Sequence, residues 1–303
     1  MTAGSRATSG SLPPRAGGGA PLPPAGRLRT WGRFVRFEHT LFSLPLLFAG
    51  VLLAGGFDVP ASLLALVLVA GAGARTAALG LNRIIDRRID AANPRTAARE
   101  LPSGAMRLSE AWALTAAGAL VYAAAAWWIA PICLALAPLP LAVFVLYPYL
   151  KRWTPLCHLG VGLGLAMAPL GGWFAVRLEF ADVGPPLLLA AFTLGWVAGF
   201  DVIYATLDET FDRAAGIHSL PARYGRRAAL LLARGLHAAA WAALAALVLW
   251  RLDTVAALAP LVLVGALLIW EHVEAADIDL AFFRANIWVG FAALATVAAG
   301  VWA

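Results

Sequence analysis

The stretch ASLLALVLVAGAGARTAALGLNRIIDRRID, residues 61–90, sets two kinds of chemistry end to end. Residues 61–81 carry a single ionisable side chain, Arg75, and are long enough to cross the hydrocarbon of a bilayer as a helix. The run then ends in Asn82-x-x-x-Asp86-x-x-x-Asp90. Acids at the end of a membrane helix are costly to place, so they need a partner or a function. Four-residue spacing stacks Asn82, Asp86 and Asp90 on one helical face, and an offset of seven adds Arg75 to it. A second stretch, Asp201-x-x-Tyr204-x-x-x-Asp208-x-x-x-Asp212, follows another apolar run and repeats the arrangement. Carboxylates so spaced can share a divalent cation, and two such faces can grip one diphosphate through magnesium.

The whole chain shares the character of its deciding segment. Of 303 residues 61% are hydrophobic and only 13% charged, about half the charged content usual for a soluble domain. Apolar runs at about 40–57, 61–81, 109–130, 132–149, 157–176, 185–203, 229–250, 255–271 and 283–302 predict an all-α, polytopic membrane bundle of about nine transmembrane helices around a central cavity. Residues 1–30, rich in Gly, Pro, Ala and Arg, read as a disordered cytoplasmic tail, and residues 31–303 as one membrane domain. The net charge of +6 does not indicate nucleic acid, because the charges sit between apolar spans, where they act as topology signals. Cys133 and Cys157 lack metal-ligand spacing and read as small core residues.

Orientation follows from the basic residues. With the N-terminus in the cytoplasm, the tail and the loops near 82–107, 150–156, 212–234 and 272–284 share one side and hold twenty of the 23 basic residues. The opposite loops hold Arg177 and Arg251 alone, a strong positive-inside bias. Both acidic stretches fall on the cytoplasmic side. An apolar helix ending in spaced acids and followed by a basic loop occurs near 61–107 and again near 185–227, a weak internal echo.

Other polar residues fit around these faces. Arg75, deep in a span, belongs in the bundle interior, where it meets a phosphate, a carboxylate ligand or an acid of the motif. The loop Asn93-Pro94-Arg95-Thr96 to Arg99-Glu100-Leu101-Pro102-Ser103-Gly104 offers arginines to close over a diphosphate, or serves only as a positive-inside loop. Tyr147 and Lys151, one turn apart at the end of the fourth span, lie either at the cavity mouth or in an interfacial anchor. The five histidines show no metal-ligand spacing and carry no catalytic assignment.

These residues resemble the UbiA superfamily of membrane prenyltransferases over nearly the whole chain after about residue 30: nine spans, both acidic motifs and Tyr147-x-x-x-Lys151. The Arg83 variant of the first motif, with Asn93-Pro-Arg-Thr and Glu100-Leu-Pro, is similar to the 4-hydroxybenzoate polyprenyltransferase-like subgroup, which includes the futalosine-branch menaquinone enzymes. The resemblance implies a helical bundle with a cavity open to lipid and Mg2+-dependent transfer of a polyprenyl group from polyprenyl diphosphate to an aromatic acid. Either 4-hydroxybenzoate or a dihydroxynaphthoate would be the acceptor, in ubiquinone or menaquinone biosynthesis. It also implies a multi-pass protein of a bacterial inner or cell membrane with a cytoplasmic site. Asn82, Asp86 and Asp90 would hold one magnesium, and Asp208 and Asp212 the other. Arg75 and Lys151 would contact phosphate or acceptor. Asp201 and Tyr204 would line the cavity near the acceptor, with Asp201 the candidate base for the phenolic proton. The alternative of another class is a transporter, which would carry its acids near the midplane rather than at the helix ends.

Overall fold

The computed structural model describes residues 24–35, 40–273 and 278–303. Among these the regular structure is all helix, with no strand. The helices are α1 (Pro24–Phe34), α2 (Thr40–Gly55), α3 (Ala61–Ala92), α4 (Leu108–Ile129), α5 (Pro131–Leu136), α6 (Pro138–Leu150) and α7 (Cys157–Arg177). They continue with α8 (Gly184–Ala205), α9 (Glu209–Ala214), α10 (Leu220–Tyr224), α11 (Arg226–Leu247), α12 (Leu258–Val273) and α13 (Ile278–Trp302). Eight helical segments are long and apolar enough to cross a membrane, and Ser43–Gly55 adds a shorter apolar one. The chain is therefore an integral, multi-pass, all-α protein.

Several boundaries differ from expectation for local reasons. Helix α1 starts at Pro24, inside the stretch expected to be a disordered tail, and residues 1–23 lie outside the described residues. Pro is tolerated there because the first helical turn leaves its N–H groups unbonded. Phe34 of α1, 1% exposed, packs with Ile84, Met106 and Ala111 at the junction of α3 and α4. The fourth span is broken into α5 and α6 at Ala137-Pro138. Helix α3 runs 32 residues, so the first acidic motif is the last three turns of the span itself. At 1.5 Å per residue it is about 48 Å long, more than the hydrocarbon thickness, and its acidic end stands beyond it.

The second motif was expected on one continuous helical face, and here the structure corrects the reading. Helix α8 tightens into a 3-10 turn at Thr206–Asp208 before α9 begins. Three residues per turn instead of 3.6 rotates Asp208 and Asp212 relative to Asp201 and Tyr204.

Small residues bring the helices together, as they must where hydrocarbon supplies no hydrophobic drive between helices. A Cβ on Gly172 of α7 would lie 2.1 Å from the carbonyl oxygen of Leu47 on α2, and one on Gly50 the same distance from that of Pro169. Trp173, Phe192, Trp196, Leu244, Val264 and Val297, all fully buried, fill the core between α2, α7, α8, α11, α12 and α13. On the other side of α7, helices α2 to α8 surround an apolar cavity of about 430 Å³.

Candidate active site

Helices α3, α6, α7 and α8 all bring one end to the same region, and the loops that join them carry the basic residues. The first motif is held from both sides. Asp86, 2% exposed, accepts from Asn82 Nδ2 at 3.1 Å, meets Lys151 Nζ at 2.6 Å and lies 3.3 Å from Arg152. Arg152 is fixed in turn by its bond to the Ile85 carbonyl (3.0 Å) and by lying over the Tyr149 ring. Asp90 accepts both bonds of Arg99 Nη1, at 2.8 and 2.9 Å.

The loop after the first motif reaches the second. Asn93 Nδ2 donates to Asp208 Oδ1 at 2.9 Å, and Arg95 grips the same carboxylate with Nε (2.8 Å) and Nη2, a bidentate contact. Arg95 Nη1 also donates to the Tyr204 hydroxyl at 2.6 Å, and the guanidinium lies over that ring. Burial works against the Arg95 charge, but the bonds to Asp208 and Tyr204 outweigh it and hold its pKa above the ordinary arginine value. Asp212 is held by Ser219 Oγ at 2.8 Å. Asp201 is bound by Nδ1 of His158, a 3% exposed residue in the first turn of α7, at 2.7 Å.

The cavity lies below this cluster. Its wall is apolar except for a few groups, among them Ser43, Arg75, Tyr122 and Tyr147. Arg75 Nη1 donates to Ser43 Oγ at 3.1 Å. Arg75 and Tyr147 stand at the end toward the acids. Cys133, Leu136 and Phe180 line the far end, near the turns at the opposite side of the bundle.

The chain and its bundle have matches among known proteins. The family model "UbiA prenyltransferase family" matches residues 43–287. The chain belongs to the UbiA prenyltransferase family. A 4-hydroxybenzoate octaprenyltransferase of Sodalis glossinidius is 31% identical over 208 residues, 66% of this chain and 69% of that protein. A polyprenyl transferase of Penicillium terrestre is 31% identical over 159 residues, and there the chain spans about half the relative's length, 48%. Among solved structures, a UbiA homolog from Aeropyrum pernix superposes with a TM-score of 0.78 at 37% identity, covering 88% of this chain and 97% of that one. A UbiA homolog from Archaeoglobus fulgidus bound to GPP and Mg2+ shares the fold, with a TM-score of 0.67 at 17% identity over 89% of this chain and 98% of that one.

The structure brings the expected residues of this prenyltransferase to one region but pairs them differently from the expectation of two ready-made metal faces. Among the described residues, no three His, Cys, Asp or Glu side chains converge as metal ligands. Each motif carboxylate instead meets a cation, an amide, a hydroxyl or an imidazole. The donor set still fits magnesium in kind, since it consists of hard oxygen donors, with Asn82 and Asp86 in contact and few carboxylates per face. Sequence reading offered Arg95 and Arg99 as loop arginines to close over a diphosphate, with a plain positive-inside loop as the alternative, and did not pair them with the motif acids. Their spacing gave no sign that Arg95 crosses 113 residues to reach Asp208. His158 carried no signal at all, because Asp201 lies 43 residues further along the chain.

Proposed function

We propose that this chain transfers a polyprenyl group from a polyprenyl diphosphate to an aromatic carboxylic acid of the 4-hydroxybenzoate type in quinone biosynthesis. Mg2+ is the metal, and the site faces the cytoplasm at a bacterial cell membrane. One observation carries this reading: Arg75 and Tyr147 stand in a mostly apolar cavity directly below the paired acids and arginines. Few other substrates need a dry apolar channel, a cation for a carboxylate and a diphosphate clamp in one line. The Sodalis relative, named for octaprenyl transfer to 4-hydroxybenzoate, supports the acceptor class. The archaeal homolog bound to GPP and Mg2+ supports the donor and the metal.

In this reading Asn82, Asp86, Asp90, Asp208 and Asp212 would hold magnesium, which would supply positive charge to the diphosphate leaving group. Arg95, Arg99, Lys151 and Arg152 contact the phosphate oxygens and stabilise the charge that builds there as the allylic C–O bond breaks. Arg75 binds the acceptor carboxylate and so fixes which ring carbon faces the allylic carbon. Tyr147 and Tyr204 line the acceptor's path. Asp201 takes the phenolic proton while the ring carbon ortho to that oxygen forms the new C–C bond and diphosphate leaves. The ring proton then passes to the released diphosphate, and the resulting phenolate recovers its proton from Asp201. The apolar wall keeps water from the cation-like carbon.

The test uses purified protein in lipid with magnesium, geranyl diphosphate and equal 4-hydroxybenzoate and dihydroxynaphthoate, with products read by mass spectrometry. Prenylated hydroxybenzoate is expected. A prenylated naphthoate would replace the acceptor, and no product from folded protein would sink the reading.

A further inference from the structure

The segment His218-Ser219-Leu220, which leads from α9 into the first residue of α10, is tied down at every residue. The His218 N–H donates to the Lys151 carbonyl at 2.7 Å, and its carbonyl accepts from Cys157 Sγ at 3.3 Å. Ser219 Oγ donates to Asp212 at 2.8 Å. The Leu220 N–H donates to His158 Nε2 at 3.3 Å. That last bond fixes the imidazole. A nitrogen that accepts carries no proton, so the ring proton sits on Nδ1 and points at Asp201 Oδ2, 2.7 Å away. The ring is 3% exposed at the start of α7 and is bonded at both nitrogens.

We propose that His158 is a positioning residue for the transfer reaction. Its Nδ1–H holds one oxygen of Asp201 so that the other faces the acceptor, while its Nε2 holds the strap that carries Ser219 to Asp212. The same imidazole thus sets the base and the acid of the diphosphate clamp in one geometry. A base held by one hydrogen bond presents its remaining oxygen in a defined direction, as a catalytic orienting group does. The proposal rests on the reading of Asp201 as the base.

The test compares His158→Phe, which keeps a flat aromatic ring, slightly larger, and removes both bonds, with His158→Asn, whose amide N–H lies near Nδ1, and His158→Gln, whose amide lies near Nε2. Each is assayed in lipid with 4-hydroxybenzoate and with its more acidic 3-fluoro analogue, rates being taken relative to the unmodified protein. His158→Phe is expected to lose about 100-fold in kcat, within the range of general-base effects, and to raise the KM for prenyl diphosphate as well, because the strap to Asp212 is released with it. His158→Asn should regain about tenfold of this. The fluorinated acceptor should narrow the deficit, because its phenol needs less help to lose a proton. Full activity in His158→Phe overturns the proposal. So does an Asn variant no better than Phe with the same deficit on both acceptors, which would mean a purely structural role. Should His158→Phe fail to fold, His158→Asn outperforming His158→Gln supports the proposal, and the reverse or equality overturns it. Asp201→Asn run alongside separates the two readings. If it is fully active, the base assignment falls and the positioning role with it. If it is inactive beside an active His158→Phe, only the positioning role falls.

Discussion

Asp86 shows how much of this site depends on single contacts. Its carboxylate is buried, and Lys151, Arg152 and Asn82 surround it. Removing one partner of a buried ion pair costs about 3–5 kcal/mol where nothing else compensates. Lys151 is partly exposed and Arg152 remains, so Lys151→Met should lower stability by less, about 1–2 kcal/mol, with part recovered in the double variant with Asp86→Asn. Thermal unfolding in detergent checks both. For activity, Asp86→Ala or Asp208→Ala should abolish transfer while leaving a folded protein, and near-normal turnover in either would remove the metal-clamp reading. Arg95→Lys should also fail to substitute, because a lysine cannot keep two bonds to Asp208 and one to Tyr204 at once. The expected loss is at least tenfold in apparent affinity for the prenyl diphosphate, about 1.4 kcal/mol, measured by titrating the donor.

At the level of helices, the contact of α2 with α7 is the least forgiving. A methyl group at Gly172 meets the backbone of Leu47 and Val51, which cannot rotate away, so Gly172→Ala should push the helices apart and lower the unfolding temperature. Gly171→Ala, one residue earlier, meets nothing within 4 Å and should leave that temperature unchanged. The helices themselves were legible in the chain. Apolar runs and breakers such as Pro60, Pro131 and Gly184-Pro185 place most spans within a few residues. What was not legible is where the period changes or the chain turns back. The 3-10 turn at Thr206–Asp208 breaks the four-residue period, and Asp208 at its end is held by Arg95 from 113 residues away. The first motif was read correctly as one helical face because α3 continues without a break to Ala92, whereas the second sits on a junction. Pairings across the bundle, such as His158 with Asp201, exist only once α7 and α8 lie side by side, and no spacing along the sequence encodes them.

Taken whole, the molecule has two unlike ends. The acidic cluster and its arginines crowd one, and the turn at 178–183 closes the other. In a background lacking Cys133 and Cys157, Ser103→Cys and Asp182→Cys should therefore react with a membrane-impermeant thiol reagent from opposite sides of sealed vesicles. Labelling of both from the same side would overturn the topology. Chelation of divalent cations should abolish turnover, and added magnesium should restore it. The pairing of every motif acid with a side chain of the protein has a further consequence for selectivity. A bare phosphate that drew Arg95 or Arg99 away would strand Asp208 or Asp90 without a counter-charge, and a bare cation that took the acids would strand the arginines. Only a cation and a polyphosphate arriving together leave no charge unanswered. The cluster should therefore take up the salt of the two more tightly than either ion alone, which titrating magnesium and diphosphate separately and then together would show.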